Sequence, residues 1–149
     1  MKRYVVTFLF SPEFELVWLI EKQKPNWQKG CLNGIGGKIE DGENPVACAV
    51  RELKEESGIT VAESDLTDIG EMIGVNNDGS GFQVHIFAGT TTDILRTQEI
   101  EVVDLYRVCD VTSLKTIENV PMLIEACIYR LTGHSSFNRL VMHYNRVTA

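Results

Sequence analysis

The chain opens with a short apolar run, Tyr4 to Phe10, and a second follows from Leu16 to Ile20. Runs of this length rich in Val, Leu, Ile and Phe read as strands, and the turn-forming Ser11-Pro12 between them predicts that the two pair. Gln23 to Lys29 is a polar loop by the same reading. Further strands are expected over Thr67 to Val75, Phe82 to Thr90 and Val102 to Val108. The first two of these flank Asn76-Asn77-Asp78-Gly79-Ser80-Gly81, a turn signal strong enough to predict a hairpin. The apolar spacing changes to a helical period twice. Val46, Ala49, Val50 and Leu53 define one helix, with Asn44 placed as N-cap, Pro45 at the first helical position and Gly58 just past the end. Leu123, Ile124, Cys127, Ile128 and Leu131 form the stripe of a second, over about Val120 to Leu131. Beyond Gly133 the pattern is ambiguous, and Arg139 to Tyr144 fits a strand or a short helix.

The run contains no internal repeat, low-complexity tract or Pro/Gly/Ser-rich linker, so residues 1–149 are expected to form one domain. A chain of 149 residues buries roughly 70% of its unfolded surface, and 44% hydrophobic with 23% charged residues is an ordinary globular composition. No apolar stretch approaches the ~20 residues that span a bilayer, and the opening strand lacks a small-residue cleavage site, so the protein is expected in the cytoplasm with no membrane partner. A net charge of −7 argues against a nucleic-acid polymer as partner, but leaves a small, metal-complexed nucleotide open. The four cysteines, Cys31, Cys48, Cys109 and Cys127, have neither C-x-x-C pairing nor metal-like spacing with the three histidines, and read as buried free thiols.

The stretch that carries chemistry is Gly37 to Glu43 with Arg51-Glu52-Leu53-Lys54-Glu55-Glu56-Ser57-Gly58-Ile59. At ~100° per residue, Glu52, Glu55 and Glu56 fall within one sector of about 100°, with the apolar stripe about 120° round. Like charges at these spacings each cost roughly 0.2–0.5 kcal/mol on an exposed helix; a bound cation reverses that sign. Oxygen donors without histidine or thiolate suit magnesium or manganese. Arg51 is spaced to pair with Glu55 at i+4. A solvated charged face is the plain alternative. Yet the full pattern, a glycine, five residues, a glutamate, seven residues, then R-E-U-x-E-E-x-G-U with U aliphatic, is met at every fixed position. By residue frequencies a chance match is on the order of one in ten million.

These residues resemble the complete Nudix box, and the order of elements around it resembles the Nudix fold over most of the chain. The resemblance implies an α/β/α sandwich with a mixed sheet, in which the box forms a loop, a helix and a loop. It implies Glu52, Glu55 and Glu56 as metal ligands, the Gly36 carbonyl as a further ligand, and Glu43 and Arg51 as organisers of the box. The activity implied is magnesium-dependent hydrolysis of a phosphoanhydride bond in a nucleoside diphosphate-linked substrate, manganese being able to substitute. Glu55 or Glu56 is a candidate base, and since some members use a glutamate of a later loop, Glu99 is another. The segment Asn33-Gly34-Ile35-Gly36-Gly37-Lys38 with Trp27 before it resembles the approach to the box in MutT-like nucleoside triphosphate pyrophosphohydrolases. That likeness makes Asn33, Asn119, Trp27 and Lys38 candidates for substrate contact, with Lys22 and Lys24 placed for phosphates. A turn role for Asn33, an N-cap role for Asn119, a core-capping role for Trp27 and solvated lysines are the local alternatives. The expected substrate is a purine nucleoside triphosphate, ordinary or oxidised, giving the monophosphate and pyrophosphate. Hydrolysis of ADP-ribose or a dinucleoside polyphosphate, and a non-catalytic nucleotide-binding module, are the competing readings. A monomer or homodimer is expected.

Overall fold

The computed structural model describes residues 1–134 and 137–145, so the last four residues of the expected 1–149 domain lie outside the described residues. Ten elements carry the architecture: β1 (Lys2–Phe10), β2 (Leu16–Glu21), β3 (Leu32–Asn33), β4 (Ile35–Lys38), α1 (Pro45–Ser57), β5 (Thr67–Val75), β6 (Gly81–Thr90), β7 (Val102–Arg107), α2 (Val120–Thr132) and β8 (Leu140–Asn145). The strands form one eight-stranded mixed sheet with the path β3-β2-β1-β6-β5-β8, β4 pairing with β1 and β7 with β2. β1 runs parallel to β6 and β5 parallel to β8. The expected β1–β2 and β5–β6 pairings are antiparallel.

Alternation along the central strands explains the layering. In β1, Val5 and Leu9 join the cluster around Ala49 and Leu53 of α1, whereas Val6, Phe8 and Phe10 join Leu123, Ile124 and Cys127 of α2. Trp18 and Ile20 of β2 face the first cluster, Val17 and Leu19 the second. A strand buried on both faces needs a helix on each side of the sheet, and the molecule is accordingly an α/β/α sandwich. Among the described residues no helix is long and apolar enough to cross a membrane.

Several boundaries differ from the sequence reading. β3 and β4 occupy a glycine-rich stretch to which the apolar pattern assigns no element; β4 exists because Gly36 lets its backbone lie against Val5 of β1, where a Cβ would overlap the Val5 carbonyl. The polar loop holds a 3-10 turn at Asn26–Gln28, and Val108 begins another instead of ending β7. The ambiguous tail resolves as a strand, β8. The cysteines are free, but only Cys48 and Cys127 are buried; Cys109 is exposed and Cys31 half-buried.

The outer edge of β7 is blunted from within. Thr97 Oγ1 accepts from the Val103 amide at 3.0 Å, and Asp104 Oδ1 accepts from the Leu105 amide at 2.7 Å. Both amides are thereby withdrawn from pairing with another strand.

Candidate active site on the α1 face

α1 is delimited as its ends predict. Asn44 Oδ1 accepts from the Val46 amide at 3.1 Å, and Gly58 closes the helix at φ 73°, its amide donating to the Lys54 carbonyl. The left-handed cap favours glycine because it has no Cβ to clash.

The three box glutamates share the helix but not one environment. Glu55 is 47% exposed and Glu52 12%, while Glu56 is buried. Helical geometry supplies the reason: Glu56 lies seven residues after Ala49, which places it only ~20° from a fully buried position. The expected single carboxylate face is therefore graded, running from solvent at Glu55 to the edge of the core at Glu56.

Arg51 holds this face together. Its Nε and Nη2 donate to the two oxygens of Glu43 at 2.7 and 3.0 Å. Nη1 donates to Glu52 at 2.8 Å and to Glu55 at 3.2 Å, the i,i+4 pair that the spacing predicts. Nη2 also donates to the Lys38 carbonyl at 3.2 Å, tying α1 to the end of β4. A two-pronged guanidinium–carboxylate contact fixes orientation as well as charge. The Arg51 hydrogen bonds hold the Glu43 carboxyl down to about 2, and Glu43 Oε2 accepts in addition from the Glu40 amide.

Glu52 lies directly over Gly37, where a Cβ would overlap its carboxyl group. Burial raises Glu52 above the usual carboxylate range against the pull of Arg51. Burial also pushes Glu56 up to about 8, with the charges of Glu52, Glu101 and Glu99 adding to the effect and Lys22 opposing it. Among the described residues, Glu56 Oε2 is buried with no hydrogen-bond partner. A buried carboxylate oxygen without a donor, in the field of other carboxylates, is a costly arrangement that a cation would relieve. The donor set therefore fits a hard divalent cation. It is not a preformed cage: among the described residues no three acidic, thiol or imidazole groups converge as one, and Arg51 engages oxygens of both Glu52 and Glu55.

The remaining expected residues are distributed around this helix. Glu99 is exposed, on the loop that Gln98 anchors by donating its amide to the Glu56 carbonyl at 3.0 Å. Lys22 pairs with Glu101 at 2.9 Å and is not a free surface lysine. Lys24 and Lys38 are exposed; Lys24 lines an open cavity of about 410 Å³ together with Gln23, Glu99, Ile100 and Glu101. Trp27 is 54% exposed, so it does not cap the core. Asn33 lies in β3, paired with Ile20, and not in the turn that local sequence offers; its Oδ1 accepts from the adjacent Gly34 amide at 2.8 Å. Asn119 precedes α2 but makes no side-chain cap, because its αR backbone does not offer the extended geometry that turns a cap oxygen back onto the first helical amides. Its Nδ2 lies 3.1 Å from Met72 Sδ instead. His85, to which no chemistry is assigned, lies in β6 opposite Glu71, with burial holding its pKa below the usual histidine value.

Glu101 is the residue that sequence reasoning passes over. Its two oxygens accept from Lys22 Nζ, the Gln23 amide and the Lys24 amide. Burial works against its charge, but these donors prevail and hold its pKa below the usual value. The only local signal was a second acid two positions after Glu99, which is indistinguishable from a solvated charge until the loop is folded.

The family model for the NUDIX domain matches residues 1–125, and the chain belongs to this family. Within it the fold is MutT-like: the mutator MutT protein of Bacillus halodurans superposes with a TM-score of 0.68 at 22% identity, over 97% of this chain and 91% of that one. The NUDIX domain of Shewanella oneidensis NrtR, solved in complex with ADP ribose, gives a TM-score of 0.74 at 17% identity, over 87% of each chain. An ADP-sugar pyrophosphatase of Mus musculus is 48% identical over 44 residues, which make up 30% of this chain and 20% of that protein. The matched stretch is thus about one fifth of the length of this curated relative.

Proposed function

We propose that this protein is a magnesium-dependent nucleotide pyrophosphohydrolase, acting on a purine nucleoside triphosphate to release the monophosphate and pyrophosphate. The observation that carries the reading is the Arg51-centred array on α1 together with a buried Glu56 oxygen that has no hydrogen-bond partner among the described residues. Glu52, Glu55, Glu56 and the Gly36 carbonyl would hold the metal. When bound, magnesium, or manganese in its place, supplies charge neutralisation on the diphosphate and Lewis acidity toward water. Arg51 and Glu43 orient the glutamates. Glu55, Glu56 and Glu99 are the candidates for the carboxylate that takes a proton from the attacking water. Lys22 and Lys24 are proposed contacts to the substrate phosphates, and Asn33, Asn119, Trp27 and Lys38 proposed contacts to the nucleotide. For Asn33 and Asn119 this requires the present bonds to Gly34 and Met72 to be exchanged for substrate.

A second reading has its own support. The mouse ADP-sugar pyrophosphatase match and the NrtR domain with ADP ribose favour an ADP-ribose-like diphosphate cleaved by the same glutamates. One panel separates the two: ordinary and oxidised deoxynucleoside triphosphates, ADP-ribose, diadenosine polyphosphates and dinucleotide cofactors, each with magnesium and with manganese, followed by product chromatography. Monophosphate and pyrophosphate from a purine triphosphate support the first reading. AMP and ribose phosphate from ADP-ribose as the preferred reaction would replace it with the second. Nucleotide binding with no turnover of any member would leave a non-catalytic module.

A further inference from the structure

Glu101 is served by an unusual set of donors. Oε2 accepts from Lys22 Nζ at 2.9 Å, and Oε1 accepts from the Gln23 amide at 2.7 Å and the Lys24 amide at 3.2 Å. Three consecutive residues after β2 thus present a cation and two main-chain N–H groups to one anion. Lysine and clustered amides are also what binds a phosphate, whose oxygens accept in the same way as a carboxylate's.

We infer that Lys22 Nζ and the amides of Gln23 and Lys24 form an oxyanion cradle for a substrate phosphate, and that Glu101 fills this cradle as an internal stand-in that the substrate must displace. The inference rests on the nucleotide-hydrolase reading for the identity of the ligand. Glu101 is then an autoinhibitory contact: the apparent affinity of the cradle is the intrinsic affinity reduced by the fraction of molecules in which it is free.

The surroundings provide both room and freedom for the exchange. The cavity of about 410 Å³ borders this contact, with Gln23, Lys24, Glu99, Ile100 and Glu101 as its lining and Lys22 just outside that lining, so a phosphate in it would lie next to the carboxylate it must replace. The loop that carries Glu101 is closed at its neck by Thr97 Oγ1, which accepts from the Val103 amide at 3.0 Å and lies 3.4 Å from the Val103 carbonyl. Between neck and cradle, Glu99 is exposed and Ile100 is 81% exposed. This tip buries little apolar surface of its own; the Gln98 amide bond to the Glu56 carbonyl and the pairing of Val102 with Glu21 hold its two ends, and the Glu101 side chain joins it to the Lys22 turn. Segments of this kind open at low free-energy cost.

The test is a calorimetric titration of inorganic pyrophosphate into metal-free protein, comparing wild type, Glu101→Gln, Lys22→Met and the double variant. Glu101→Gln removes the competing charge while leaving all three donors. It is expected to bind pyrophosphate at least about fivefold more tightly than wild type, the gain expected when an occluded site is freed. The gain should vanish in the double variant, since Lys22 is part of the cradle. Equal or weaker binding by Glu101→Gln would overturn the inference and make Glu101 a residue that merely positions Lys22. If the Gln variant fails to fold by thermal melting, Glu101→Asp serves, because the shorter side chain should not reach all three donors; tighter binding is again expected and unchanged binding overturns. Amide hydrogen exchange in wild type gives an independent readout. Pyrophosphate should keep Gln23 and Lys24 protected while exchange rises over residues 99–101, and a tip that stays protected contradicts displacement. None of these measurements needs turnover. A tighter-binding Glu101→Gln in a protein that cleaves no nucleotide would defeat the functional reading alone, and the converse would defeat only this one.

Discussion

Arg51 decides the behaviour of the site at the scale of single residues. It is shared among Glu43, Glu52 and Glu55, and the tightest of these pairs sets a pH dependence of stability. The Glu43 carboxyl is held at about 2 in the fold against an ordinary value of 4.5. A depressed carboxylate stabilises fully above its unfolded value and loses that contribution as pH falls through the folded one. Glu43→Gln should therefore melt below wild type at pH 7, and the gap should narrow steadily from about pH 4.5 downward. A constant gap across that range, read from melts at matched ionic strength, would show that the pair does not titrate as its geometry requires. Asn33 tests a different residue-scale claim. If its amide reads a purine edge, Asn33→Ala should cost roughly 1–3 kcal/mol of discrimination between purine and pyrimidine triphosphates. A uniform fall in kcat/KM across all bases would return Asn33 to its bond with the Gly34 amide.

At the scale of elements, α1 is the part most fully written in local sequence, because both its stops are chemical. Asn44→Ala should lose about 1 kcal/mol of stability by denaturant titration through the lost cap. Gly58→Ala should lose a similar amount, roughly 1 kcal/mol, because its φ of 73° disfavours a Cβ. What the helix meets was harder to read. β4 hides in Gly-Ile-Gly-Gly because its glycines answer to a neighbouring strand and to the Glu52 carboxyl, not to any local propensity. Gly37→Ala follows from that contact: the new methyl should displace Glu52 and lower turnover at least ~10-fold, with helix content by circular dichroism unchanged. Wild-type turnover would mean that Glu52 does not need its present position. The parallel pairings of β1 with β6 and β5 with β8 escape pattern reading for a related reason. They join segments distant in sequence, and periodicity carries no information about partners. The box glutamates were identifiable from spacing; the burial of Glu56 was not read, although its offset from Ala49 explains it, and the grip of Glu101 on the Lys22 turn follows from nothing local.

For the whole molecule, a two-faced sheet carries α2 on one side as core and α1 on the other as both core and proposed site. Burial of Glu56 links packing to the proposed site, since the packing that seats α1 also leaves a carboxylate oxygen without a partner among the described residues. The proposed function requires that this carboxylate serve metal-dependent hydrolysis. The direct measurement is turnover of the preferred nucleotide by wild type and Glu56→Gln, each stripped with EDTA and then titrated with magnesium. Wild type should lose activity with the chelator and regain it on adding magnesium without refolding, while Glu56→Gln, folded by thermal melting, should remain at least ~10²-fold slower at every magnesium concentration. Turnover that survives EDTA, or a Glu56→Gln variant that matches wild type, would contradict it.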